Sequence, residues 1–194
     1  MKTSTRTFNA LTYLGVLVLF VFTIAQVRSQ ESKSENMIFW YIKAVRPEAK
    51  LLDVKAIDEN GAQYDVKAIQ DSHDISLLNV KALVDGQAIP IKMIVKGADE
   101  EFHPIKAIDY EGKILDVKAI DDDGTLLDVK GVSRMGNTIE VRAIDANGAQ
   151  LDVISISPLK GINHIKGLKM FSDDVEAVIQ GHQIFAHVKS LSQY

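Results

Sequence analysis

Cysteine is absent from all 194 residues. No disulfide can form, and the cysteine that would carry the lipid anchor of a bacterial lipoprotein is missing too. Excess positive charge is also lacking: 22 lysines and arginines stand against 26 aspartates and glutamates. That balance argues against nucleic acid as a partner, because gripping phosphates takes a basic surface. No G-x-S-x-G, no H-E-x-x-H and no phosphate-binding glycine loop occurs. The apolar run from Leu11 to Ala25 falls short of the ~20 residues that a comfortable membrane span needs.

That run has the marks of an export signal. Lys2 and Arg6 precede it without any acid, and Val27-Arg28-Ser29 places small residues at −3 and −1 before Gln30. Residues 1–29 read as a cleaved secretory signal peptide; a retained N-terminal anchor is the alternative. Cleavage would remove Lys2, Arg6 and Arg28 and leave 19 basic against 26 acidic residues. Residues 30–36 are expected to be disordered and 37–194 to form one domain. The product would be soluble, in a periplasm or outside the cell, with no stable membrane anchor.

What the chain has in abundance is repetition. The pentad DVKAI and its variants place a lysine at 43, 55, 67 and 81, and again at 106, 118 and 130, with Arg142, Ile154 and Lys166 following. PIKMI at Lys92 is a weaker copy. The spacing is twelve residues from 43 to 67 and from 106 to 166, with irregular connections between 68 and 105. Within each pentad, valine and alanine share one parity while aspartate, lysine and isoleucine share the other, which is strand periodicity. Between pentads come IDENGA, IDYEGK, IDDDGT, VSRMGN and IDANGA, each with glycine at one fixed place. This predicts three-residue hairpin loops ending in a left-handed glycine.

The register follows. With Glu59-Asn60-Gly61 as the loop, Asp58 faces Ala62, Lys55 meets Asp65, Asp53 meets Lys67 and Val54 faces Val66. Around Asp122-Asp123-Gly124, Lys118 meets Asp128 and Asp116 meets Lys130. Around Arg134-Met135-Gly136, Lys130 meets Glu140 and Asp128 meets Arg142, and Arg142 then meets Asp152. The pattern predicts acid opposite base throughout, a device for register more than for stability. A parallel solenoid is the rival, but it would stack lysine on lysine. The expected fold is therefore all-β: an antiparallel up-and-down meander of about 11–13 strands, curled as a barrel or as two packed sheets. The tail, VEAVIQGHQIFAHVKSL, reads as a final hairpin turning near Gln180-Gly181.

Chemistry is sparse. Asp121, Asp123 and Asp128, like Asp58, Asn60 and Asp65, are weak calcium candidates, since calcium wants several oxygen ligands. Yet the EF-hand pattern is absent, and Asx residues before glycine are ordinary turn formers. Of His73, His103, His164, His182 and His187, no two lie two or four apart on one strand. No cofactor is implied. The aromatic run Phe39-Trp40-Tyr41 is the least repetitive part. In register, Trp40 faces the core, while Phe39 and Tyr41 point outward, where they could stack on sugar rings or meet another protein; covering an edge strand is the plainer role.

FWYIKAV, LLDVKAID, IKGLKMF and AHVKSL resemble an uncharacterised family of secreted bacterial proteins, a domain of unknown function. The resemblance spans nearly all of the chain after the signal segment. It implies export and a shared fold, and supplies no catalytic or binding residue. The leading expectation is a non-catalytic exported β-repeat module that binds an extracellular glycan or an envelope protein through Phe39 and Tyr41. A structural or assembly component of the envelope comes second. A carboxylate-dependent enzyme, or an accessory to one, comes third.

Overall fold

The computed structural model describes residues 37–95, 101–109, 111–169, 177–179 and 181–193; the expected signal peptide and the stretch 30–36 lie outside them. Ile38–Tyr194 form one compact unit. Its described residues are all-β, with thirteen antiparallel strands in a single sheet. They are β1 (Ile38–Val45), β2 (Leu51–Ile57), β3 (Gln63–Gln70), β4 (Leu77–Val84), β5 (Gln87–Ile94), β6 (His103–Ile108), β7 (Ile114–Ile120), β8 (Leu126–Met135), β9 (Thr138–Ile144), β10 (Gln150–Ile156), β11 (Ile162–Leu168), β12 (Ala177–Ile179) and β13 (His182–Leu191). The last two make the expected terminal hairpin.

The repeated loops close as their chemistry dictates. Asp58 N–H donates to Ala62 O at 3.1 Å, and Gly61 takes a φ of 82°. The Asp58 carboxylate accepts the N–H groups of Asn60 and Ala62, each at 2.9 Å. Asp145 clips Asn147 and Ala149 in the same way. Aspartate before the loop is thus a turn clip, and glycine supplies the left-handed residue.

Beyond the loops the ladder differs from the expected one. β2 and β3 pair at Lys55↔Asp65, Ala56↔Tyr64 and Ile57↔Gln63, and then part. The front of β2 pairs instead with β1, at Lys43↔Asp53, and the back of β3 pairs with the front of β1, at Tyr41↔Lys67. The expected Asp53–Lys67 and Val54–Val66 pairs do not form. The three strands make a junction in which each is bonded to both others. β4, β5 and β13 make a second junction. β6, β7 and β8 make a third, and β9, β10 and β11 a fourth.

On its other side each of these strands pairs with a strand of a different junction. The ladders are β1–β10, β2–β7, β3–β4, β5–β6, β8–β9 and β11–β13. Six ladders connect four junctions, each to every other, as the edges of a tetrahedron connect its corners. Dividing a strand between two partners lets the sheet close around its apolar face in all directions, which a flat ladder would leave wet.

Along five of the six edges like meets like, and on the β1–β10 edge Lys43 faces Ile154. Lys55 faces Lys118, Lys67 faces Lys81, Lys92 faces Lys106, Lys130 faces Arg142 and Lys166 faces Lys189. Acid opposite base is the rule within junctions and fails between them. Asp116 accordingly pairs with Lys106 rather than Lys130, and Lys130 and Asp128 do not face Glu140 and Arg142. The link between β8 and β9 is also shorter than expected. Met135 pairs with Thr138 around Gly136-Asn137, and a register shift between Gly131 and Ser133 absorbs the difference.

The core repeats with the sequence. The valine or isoleucine before each lysine, from Ile42 in β1 to Val188 in β13, comes to the centre from all twelve junction strands. The space between them is about 10 Å³, room for one water at most, and its lining is wholly apolar. The next inward position is alanine in seven strands, and the exceptions find one another. Met93, fully buried, fills the space over Gly131 and Gly167. Ser155 and Ser190 share a buried hydrogen bond of 2.7 Å.

Candidate functional site

With the interior filled, any ligand must meet the outer face, and that face is organised by the junctions. At each one the lysine position of one strand stands opposite the residue two before the lysine of the next. In the first junction the pairs are Lys43–Asp53, Lys55–Asp65 and Lys67 with Tyr41. The two acids form ion pairs, and Lys67, which also reaches Asp65 at 3.1 Å, sits 4.2 Å above the Tyr41 ring centroid. The third junction has Lys106–Asp116 and Lys118–Asp128, with Pro104 opposite Lys130. The fourth has Arg142–Asp152 and Lys166–Glu140, with Ile154 opposite His164.

The second junction keeps all three lysines and has no acid. Lys81 faces Pro90, Lys92 faces His187 and Lys189 faces Asn79. Lys92 is only 7 % exposed and its Nζ lies 2.5 Å from His187 Nδ1. Lys189 Nζ donates to Asn79 Oδ1 at 2.5 Å. Among the described residues no carboxylate is within ion-pair reach of these three ammonium groups. The field is correspondingly positive. Burial, helped by Lys81 and Lys189, pushes Lys92 down to about 8. Burial, then Lys92, Lys189 and Lys81, push His187 down to about 4, so it is neutral at pH 7 and can accept from Lys92. Lys81 and Lys189 are lowered as well, chiefly by burial.

Phe39 and Tyr41 point outward as their register predicts, 39 % and 49 % exposed, while Trp40 is buried at 1 %. Tyr41 nevertheless has one face covered by Lys67. The aspartates weighed for calcium serve the chain itself. Asp121 pairs with Arg46 and Lys50, which tie the β1–β2 turn to the β7–β8 turn and hold its carboxyl down to about 2. Asp123 accepts the Thr125 N–H at 2.9 Å, and Asp128 pairs with Lys118 and Lys130. No group of three potential metal ligands comes together among the described residues.

A surface cleft of about 440 Å³ opens beside the third junction. Phe102, Leu126 and Ile144 give it apolar walls, and Asp128, Asp145 and Lys130 line it with charge. Phe39 and Tyr41 do not contribute to it. A family model, that of a family of unknown function (DUF7486), matches residues 36–191. The chain belongs to DUF7486. No curated protein and no solved structure matches it.

In this DUF7486 chain neither the cleft nor the acid-free junction was foreseen from sequence. The cleft joins the connection before β6 to two distant turns, so no local pattern marks it. The junction did leave a trace. Asn79, Pro90 and His187 stand where other copies carry aspartate or glutamate. That those three departures share one junction is a fact of topology, invisible in the repeat.

Proposed function

We propose that the chain is a non-catalytic, exported binding module for an extracellular glycan, with the cleft at Phe102, Leu126 and Ile144 as its primary surface. The observation that carries this reading is the pairing, in one cleft of about 440 Å³, of apolar walls with carboxylates and a lysine. A sugar ring has the matching character, with C–H faces to lie on apolar side chains and hydroxyls to donate to carboxylates. The volume lies in the range of small-ligand sites. The filled core adds support, because it leaves the outer face as the place where a ligand can sit.

Screening against a glycan array tests the reading. Binding should weaken about tenfold or more in Leu126→Asp and in Phe102→Ala, and stay unchanged in Phe39→Ala/Tyr41→Ala. If the Phe39/Tyr41 variant alone loses binding, the ligand sits on β1. If no glycan binds, the reading fails. Export is proposed on the N-terminal signature alone. Sequencing the secreted product should find Gln30 first; a retained Met1 would favour the anchor.

A further inference from the structure

We propose that the outer face of the β4–β5–β13 junction is a second binding site, for a terminal tetrahedral oxyanion such as a phosphate or sulfate monoester, held by Lys81, Lys92 and Lys189. This site is separate from the cleft, and it stands or falls independently of the glycan reading.

The comparison among junctions is internal to the molecule. Four junctions are built on one plan, and each offers three positions opposite the lysine place of a neighbouring strand, which Ile154 fills in the β9–β10–β11 junction. Three junctions place two acids there. The β4–β5–β13 junction places Asn79, Pro90 and His187, so three cations face three neutral groups. Nor do the described residues of the surrounding sheet supply the missing charge. Across the edges Lys81 faces Lys67, Lys92 faces Lys106 and Lys189 faces Lys166. Each of those outer lysines reaches a carboxylate, in Asp65, Asp116 and Glu140, two of them shared with a second base. Nearby Asp85 is taken by Lys113. A buried ammonium without a counter-charge is costly, and an arriving anion removes that cost.

The arrangement also speaks to the shape of the anion. Three lysines from three strands, related by the junction's approximate three-fold symmetry, match three equivalent oxygens on a monoester. A carboxylate offers two in a plane. Asn79 and His187 hold Lys189 and Lys92 in place as neutral acceptors, and carry no charge that would cancel the pull on an anion.

Titration of the intact protein with inorganic phosphate, glucose 6-phosphate, a sulfated monosaccharide and acetate, followed by calorimetry and amide NMR, tests the proposal. Saturable binding of the tetrahedral anions is expected, at least about tenfold tighter than acetate, with shifts centred on β4, β5 and β13. An ester binding more tightly than inorganic phosphate names a modified glycan as the source; the reverse names the free ion. Asn79→Asp/His187→Asp rebuilds the acid ring of the other junctions, so it should fold at least as well as the parent and lose anion binding by about tenfold or more. Lys92→Met should lose it too. Undiminished phosphate binding in the Asn79→Asp/His187→Asp variant, or acetate binding as tightly as phosphate, would overturn the proposal.

Discussion

The contact of Met93 with Gly131 and Gly167 can be broken and remade. Met93→Ala empties a fully buried site, and such truncations cost about 2–5 kcal/mol. Gly131→Ala alone would bring a Cβ within 2.4 Å of Met93 Cε and 3.1 Å of Ile139 Cγ2. Gly167→Ala would bring one within 2.6 Å of the same Cε. Each forces Met93 out of its rotamer, for about 1–3 kcal/mol. The triple variant Met93→Ala/Gly131→Ala/Gly167→Ala installs the alanine that seven other strands carry at this position. It should lie within about 1 kcal/mol of the parent, helped by the stiffer unfolded chain that alanine gives. The single costs sum to roughly 4 kcal/mol or more, so the coupling would be several kcal/mol. Urea unfolding followed by the fluorescence of Trp40, the chain's one tryptophan, measures the parent and the four variants on one scale. A triple variant as unstable as the sum of its parts would refute the claim that these residues compensate one another.

Three further outcomes are expected. His187 has a folded pKa of about 4 against ~6.5 unfolded, so the unfolded chain binds more protons between those values. Stability should fall by up to ~3 kcal/mol as pH drops through that window. Lys92, about 8 when folded and ~10.4 unfolded, should make stability rise from pH 8 towards 10. The charged groups facing both are Lys81, Lys189 and, across the edge, Lys106; urea midpoints for the parent and His187→Asn that run parallel from pH 4 to 7 would contradict the assignment. Lys55→Ala should cost under about 1 kcal/mol, because its partner Asp65 is well exposed and also has Lys67 at 3.1 Å; a loss above 2 kcal/mol in chemical denaturation would mean the ion-pair rings stabilise more than they direct. Gly161→Ala would place a Cβ 2.8 Å from Trp40 Cη2, so it should destabilise by about 1–3 kcal/mol. Trp40→Leu should relieve it, as circular dichroism melts would reveal.

Local chemistry was legible in the sequence. Asp58 and Gly61 announced their loop, Lys55 and Asp65 their pairing, and Trp40 its inward face, because each depends on residues within one hairpin. The division of strands between partners was not. Asp53 next to Lys67 looks as good on paper as Lys55 next to Asp65, and only the arrival of β1 separates them. The twelve-residue spacing gives the same hairpin whether the next strand closes a junction or runs along an edge. The acid-free junction was hidden most deeply, because its defining property is the coincidence of three departures on β4, β5 and β13, far apart in the chain. Phe39 and Tyr41 were placed correctly, while their neighbourhood, including the lysine above Tyr41, was beyond reach.

The near-identity of the repeats has a consequence for how the molecule reaches its native state. Twelve segments of similar shape can be threaded through four equivalent corners in many ways, and a mis-threaded chain would bury almost as much oil. The irregular residues work against that degeneracy: Trp40 over Gly161, Met93 over two glycines, and the serine pair between β10 and β13 each fit one address. Smoothing them all to the consensus would preserve every hairpin and erase the labels by which one topology is chosen over its near-twins.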